Sequence, residues 1–281
     1  SFVNRLDGMW AFALHDRRAG TLLLSRDRFG EKPLLLGRKG GSLYFASEHR
    51  QLREVGIGLE PNPDTVLEYL ALGRQTTPTA TYFAGIEALQ PGTNLTIDVR
   101  SGQSAFNRYY TPGSSTAFSG LQEDEFQPVF EAEMTRAVRT RLRSDVPVGT
   151  LLSGGVDSSL ISCLAGGIYR DATGRALPAF TAVSQDRSND ESPYARMVAA
   201  RCGLDWHPVS VGVEESRELW ATTTTVYEQP TDPSMPMQIQ VLSLAKTAGV
   251  TVVLDGQGAD ESWQGYTRYA VAAMNETPWS R

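Results

Sequence analysis

The pattern of apolar and polar positions changes character along the chain. From Met9 to Glu48, apolar residues fall in runs of strand length: Trp10 to Leu14, Thr21 to Ser25, Pro33 to Gly37 and Leu43 to Ala46. Gly40-Gly41, between two of these runs, supplies the positive φ angles of a tight hairpin. This region is predicted to be β-rich. Residues 50 to 120 are looser, with a helix expected from Asp64 to Leu72, a strand from Asn94 to Val99, and a linker in the Ser-, Thr-, Gly- and Pro-rich stretch from Thr111 to Gly120. A helix is then predicted from Glu123 to Arg143, because Phe126, Val129, Phe130, Met134, Ala137, Val138 and Leu142 recur at helical spacing.

After Pro147 strands alternate with helices. The predicted strands are Val148 to Leu152, Phe180 to Ser184, Trp206 to Val211 and Val250 to Leu254. The predicted helices run from Ser158 to about Tyr169, Pro193 to Arg201, Glu214 to Tyr227 and Met237 to Ala248, with another at Ala270 to Met274. Ser192 before Pro193 reads as an N-cap, and Gly203 and Gly249 stand where helices stop. Such alternation is the signature of an α/β fold with a parallel, doubly wound sheet. The expected organisation is therefore residues 1–50 as a β-rich part, 51–120 as a connecting region, and 121–281 as the α/β domain.

Composition narrows the class of protein. Hydrophobic residues make up 41% and charged residues 21%, and no apolar run reaches the roughly 20 residues of a membrane span. The 26 Lys and Arg against 32 Asp and Glu leave a net charge of −6 without a basic stripe, which argues against a nucleic-acid partner. Cys163 and Cys202, the two cysteines, sit in helical, apolar contexts and read as packing thiols of a cytoplasmic protein. The chain opens at Ser1 in mid-pattern and ends at Arg281 soon after a helix, so it reads as a piece cut from something longer.

The chemistry concentrates in one loop. Gly149-Thr150-Leu151-Leu152 is a buried strand, followed by Ser153-Gly154-Gly155-Val156-Asp157-Ser158-Ser159 at the start of a helix. Paired glycines let backbone N–H groups converge on an anion, and the helix N-terminus adds partial positive charge there. Ser153, Ser158 and Ser159 add hydroxyls, so phosphate is the natural ligand. The loop is too short for a Walker A motif and has no Lys. Asp157 would repel phosphate unless a divalent cation lay between them, which makes it a candidate Mg²⁺ ligand. The plainer reading is a tight turn with Asp157 or Ser158 capping the helix.

A second strand, Val252-Val253-Leu254, leads through Asp255-Gly256-Gln257-Gly258-Ala259-Asp260-Glu261 into another helix start. With strand order 3-2-1-4, the strands ending at Leu152 and Leu254 are neighbours at the point where the order reverses, and their loops face one crevice. Asp157 and Asp260 could then share one Mg²⁺. The alternative is that Asp260 and Glu261 only charge the first turn of a helix.

Ser-Gly-Gly-Val-Asp-Ser resembles the pyrophosphate-binding loop of the ATP-pyrophosphatase superfamily, whose members cleave ATP between its α and β phosphates. Further matches are similar to the asparagine synthetases. Arg5-Leu6-Asp7-Gly8-Met9-Trp10-Ala11-Phe12-Ala13-Leu14, Arg26-Asp27-Arg28-Phe29-Gly30-Glu31-Lys32-Pro33-Leu34 and Tyr44-Phe45-Ala46-Ser47-Glu48 look like the end of their glutaminase domain, an N-terminal-nucleophile sandwich that would here be partial. Asp190-Glu191-Ser192-Pro193-Tyr194-Ala195 and Gly258-Ala259-Asp260-Glu261 look like their synthetase domain.

The resemblance implies adenylation of a carboxylate, foremost the aspartate side chain, and attack by glutamine-derived ammonia, with ATP and Mg²⁺ as cofactors. It assigns ATP and pyrophosphate to Ser153, Gly154, Gly155, Asp157, Ser158, Ser159 and Asp255, nucleotide contacts to Leu152, Ala182 and Gly256, and the metal to Asp157 and Asp260. A homodimer is compatible with it. The family's nucleophilic Cys and glutamine-binding residues belong to sequence ahead of Ser1, so the chain as it stands is expected not to hydrolyse glutamine. Where asparagine synthetases often read Ser-Gly-Glu-Gly, this chain has Asp255-Gly256-Gln257-Gly258. Gln257 cannot accept a proton, so Asp255 is the candidate to compensate. Two alternatives stand beside this reading: a related ligase forming a lactam, cyclic peptide or other amide on a different carboxylate, and a nucleotide-binding module without catalysis.

Overall fold

In the computed structural model, residues 2–113, 120–232, 234–263, 265, 266 and 269 are described, in two compact units, Ser1–Gly120 and Leu121–Arg281. Residues 114–119 of the expected linker and the helix expected at Ala270 to Met274 lie outside the described residues.

The first unit contains β1 (Ala11–Asp16), β2 (Thr21–Arg26), β3 (Leu35–Lys39), β4 (Ser42–Ala46), α1 (His49–Glu54), α2 (Pro63–Leu72), β5 (Ile86–Ala88), β6 (Thr93–Asp98) and β7 (Ser104–Arg108). These form two antiparallel sheets, ordered β1-β2-β6-β7 and β4-β3-β5. Leu24 and Leu95 of the larger sheet pack with Leu34, Leu36 and Leu89. Leu35 points the other way, as strand alternation requires, and packs with Leu52, Ile57 and Ile86. Burial on both faces explains why Leu34-Leu35-Leu36 shows no polar alternation.

Residues 51–113, read from sequence as a connection, instead supply three of the unit's strands. β6 matches the strand expected at Asn94 to Val99, whereas β5 has three residues and β7 is exposed along its whole length, so neither of those carries an apolar period. The turn after β2 is organised by buried charge. Asp27 is 1% exposed, and its carboxylate accepts N–H groups of Trp10, Phe29, Glu31 and Lys32 at 3.0–3.2 Å. The Arg26 guanidinium donates to the carbonyls of Gly30, Lys32 and Leu89.

The second unit runs α3 (Glu123–Arg141), β8 (Val148–Leu151), α4 (Val156–Thr173), β9 (Pro178–Ser184), α5 (Ser192–Cys202), β10 (Asp205–Val211), α6 (Val213–Tyr227), α7 (Met235–Thr247), β11 (Val252–Leu254) and α8 (Ala259–Trp263). Its four strands are all parallel in the order β10-β9-β8-β11, which is the expected 3-2-1-4. Adjacent residues of β9 face opposite layers. Ala179 packs with Leu152, Ala195 and Ala199 towards α5, while Phe180 packs with Val241, Ala245 and Val250 towards α7. The sheet is thus covered on both faces, as a doubly wound fold demands.

Two local expectations are corrected. Ser192 is the first residue of α5 rather than its N-cap; its hydroxyl and N–H both donate to the Asp190 carboxylate, at 3.0 and 3.1 Å. Cys163 and Cys202 are not separate packing thiols but a disulfide, with Cα atoms 5.3 Å apart. They lie 39 residues apart in sequence and meet because α4 and α5 pack side by side. That pairing removes the cysteine argument for a reducing compartment. Among the described residues no helix is long and apolar enough to cross a membrane.

Candidate functional site

The loop joining β8 to α4 turns sharply because Gly154 adopts φ +99°. A Cβ at Gly154 would lie 2.7 Å from the Ala195 nitrogen and 2.8 Å from the Glu191 carbonyl oxygen, so the loop rests directly on the backbone at the start of α5. Gly155 is the N-cap of α4 and makes no side-chain cap, which excludes the plain capping role for Asp157 or Ser158. The turn is held by its serines instead. Ser153 and Ser158 hydroxyls are 2.9 Å apart, the Gly155 N–H donates to the Ser153 hydroxyl at 3.2 Å, and the Ser158 hydroxyl donates to the Gly155 carbonyl at 3.2 Å.

The loop after β11 lies against this one. A Cβ at Gly256 would come 3.0 Å from the Ser158 nitrogen and 3.2 Å from the Asp157 Cβ. The Asp255 carboxylate accepts the Gln257 N–H at 3.1 Å, closing the turn that carries Gln257. The two loops are adjacent because β8 and β11 are neighbours in the sheet, Leu254 standing opposite Thr150. A buried hydroxyl reinforces the junction: Thr150 Oγ1 donates to the Leu254 carbonyl at 3.2 Å and sits 2.9 Å from the Ser162 hydroxyl of α4. On the other side, Thr181 Oγ1 donates to the Leu152 carbonyl at 2.7 Å and accepts the Trp206 indole N–H at 2.8 Å. The end of β8 is therefore pinned to both neighbours by the hydroxyls of Thr150 and Thr181, which are buried.

Both loops open onto a cavity of about 470 Å³ at the carboxyl ends of the strands. It is lined by Ser153, Gly155, Asp157, Ser158, Ala182, Asp255, Gly256, Gln257 and Asp260 from the residues singled out in the sequence. The other three lie elsewhere. Leu152 is in the core with its N–H on the Phe180 carbonyl, Gly154 backs onto α5, and the Ser159 hydroxyl is buried without a hydrogen-bond partner among the described residues.

Burial raises the Asp157 carboxyl above its ordinary range, and the negative charge of Asp260 adds to the effect. A carboxylate whose ionisation is opposed by burial and by a neighbouring carboxylate fits a divalent cation shared between the two. No cluster of three or more His, Cys, Asp or Glu able to hold a metal occurs among the described residues. A pair of carboxylates completed by phosphate oxygens and water suits Mg²⁺ better than a metal held by protein alone.

The cavity also has walls that sequence reasoning did not identify: an apolar side of Leu151, Phe180, Met237 and Val241, and polar groups of Ser184, Asn189, Glu191, Ser234 and Gln238. Three of these are placed by one repeated device. Asp186, Asp190 and Asp232 each accept the N–H and hydroxyl of the Ser two residues on, in tight Asx turns. Those hydrogen bonds hold all three carboxyls below the usual carboxylate range. The recurring Asp-x-Ser pattern at Asp186, Asp190 and Asp232 was the available signal, and it presents Asn189, Glu191 and Ser234 to the cavity.

Family models match both units of the chain. Residues 130–281 match the asparagine synthase family and residues 1–110 match the glutamine amidotransferase domain. The chain is 30% identical over 271 residues to the glutamine-hydrolysing asparagine synthetase 1 of Bacillus subtilis, covering 95% of this chain and 41% of that one. It is 29% identical over 289 residues to Amidase chry2 of Gibberella zeae, covering 98% and 42%. Among solved structures, the NH3-dependent NAD synthetase of Campylobacter jejuni aligns with 50% of this chain and 60% of its own, at 16% identity and a TM-score of 0.34. The chain spans 41–50% of the length of the curated relatives it matches. With the asparagine synthase match extending over more than half its residues, the chain belongs to the asparagine synthase family.

Proposed function

We propose that this cavity activates a carboxylate with ATP, releasing pyrophosphate, and that ammonia then displaces AMP to form an amide. The observation that carries the reading is the contact of the two loops at the ends of neighbouring parallel strands, with Gly256 packed on Asp157 and Ser158. In this reading Ser153, Gly155, Ser158 and the N-terminus of α4 receive the pyrophosphate, and Ala182 and Gly256 border the nucleotide. Asp157 and Asp260 would hold Mg²⁺, which when bound offsets the charge of the leaving pyrophosphate. As the C–N bond forms and the bond to AMP breaks, ammonia loses a proton, and this reading gives it to Asp255, whose side chain lines the cavity. Gln257, held by its N–H on Asp255, serves as a neutral hydrogen-bonding group.

Aspartate is the acceptor this reading favours, with ammonia drawn from glutamine in the whole protein. Residues 1–110 are assigned to an amidotransferase-type part and residues 121–281 to the synthetase part. The test is AMP and pyrophosphate formation by the complete protein with ATP, Mg²⁺, ammonium and a panel of carboxylic acids including aspartate. Aspartate-dependent release of both products, lost in Asp157→Asn, is the expected result. Release with another acid but not aspartate would make it a ligase for a different acceptor. ATP binding without AMP from any acid would reduce it to a binding module.

A further inference from the structure

Cys163 and Cys202 join the two helices whose amino ends build the loop. α4 carries Asp157 and Ser158 at its start, and α5 begins beside Glu191. The pair is clamped at both ends. At the cavity end Gly154 rests on the Ala195 nitrogen. At the far end a Cβ on Gly166 would come 2.4 Å from Leu204 Cδ2, and Arg170 donates to the Cys202 carbonyl at 3.2 Å. The close approach at Gly166 is what brings Cys163 opposite Cys202. Both residues are half-buried rather than sealed in the core.

We infer that Cys163 and Cys202 are a reversible oxidation site that sets the rigidity of the phosphate loop through the α4–α5 pair. In the oxidised form the disulfide holds the two helices at the spacing on which Gly154 depends. A dithiol reductant attacks one sulfur; the S–S bond breaks, the reductant leaves as its own cyclic disulfide, and two protons end on the Cys163 and Cys202 thiols. With the bond gone, the far clamp is left to the packing of α4 against Leu204 and to the Arg170 hydrogen bond. The loop at residues 153–159 and the start of α5 then open more often.

The experiment measures backbone amide hydrogen exchange across residues 153–159 and 191–195 of the intact protein, before and after dithiothreitol. Thiols are counted in the unreduced, denatured protein, and the double variant Cys163→Ala/Cys202→Ala serves as control. The expected result is no free thiol before reduction, exchange on the order of tenfold faster in both segments after it, restoration on reoxidation, and no response to dithiothreitol in the double variant. Two free thiols in protein prepared without reductant would overturn the inference. Faster exchange confined to residues around Cys163 and Cys202, with the loop unchanged, would overturn it equally, because the disulfide would then be a local staple. Nucleotide affinity is measured in both redox states; absence of ATP binding in either, with the exchange response intact, would count against the proposed activity and not against this site.

Discussion

Replacing Gly154 by Ala tests whether the loop between β8 and α4 is shaped by its contact with α5. The native φ of +99° is costly for any residue with a Cβ, at about 1–2 kcal/mol. The added methyl would also stand 2.7 and 2.8 Å from backbone atoms of Ala195 and Glu191, which cannot rotate away, and such overpacking costs about 1–3 kcal/mol. Together these give a loss of about 2–5 kcal/mol, a large part of the roughly 5–15 kcal/mol that holds a domain folded. For a unit of this size that is a fall in Tm of about 4–20 °C. Gly155→Ala is the matched control. Its φ is −66°, and a Cβ there would meet only the Ser153 hydroxyl at 3.4 Å, so the loss should stay under about 1 kcal/mol. Thermal denaturation followed by circular dichroism measures both. Equal losses in the two variants would refute the reasoning, since they would mean that neither the positive φ nor the contact with α5 governs the loop.

Three further outcomes follow from the same structure. Asp157→Asn should raise Tm at neutral pH in metal-free buffer while abolishing pyrophosphate release. Because burial and Asp260 raise this carboxyl, its ionised form costs stability as pH rises through its titration, and the gain in the variant should vanish below about pH 4; a destabilised variant at pH 7 would contradict this. Thr181→Val leaves the Leu152 carbonyl and the Trp206 indole N–H without their partner, at about 1–3 kcal/mol for each group, readable as a shift in urea midpoint. The carboxyls of Asp186, Asp190 and Asp232 are held low by their serines, so their turns are fully stabilised above the ordinary Asp pKa of about 3.9 and lose that support as pH falls further. Asp190→Asn should therefore flatten the acid limb of stability, and an unchanged limb would show that these turns do not contribute.

Residue order alone was enough for whatever depends on local periodicity. The alternation after Pro147, with turn residues between apolar runs, specified β8 to β11 and their helices to within a few residues, and with them the parallel sheet. The turn at Gly154 and Gly155 and the helix start at Asp157 and Ser158 were legible because a strand, two glycines and a helix start are all encoded in adjacent positions. What folding in three dimensions decided was everything carried by contacts distant in sequence. The Cys163–Cys202 bond spans 39 residues and exists because α4 approaches α5 at Gly166. Leu152 and Ser159 turn away from the cavity because the backbone at the end of β8 is already bonded to Phe180 and Thr181 and the helix rotates its fourth residue away from that opening. Strand β7, exposed throughout, is a strand only because β6 offers it hydrogen bonds, and Glu191 and Ser234 meet Asp157 in one cavity only because the sheet order makes their elements neighbours. A side chain's type and spacing are local information, whereas its partner is set by which elements the whole chain packs together.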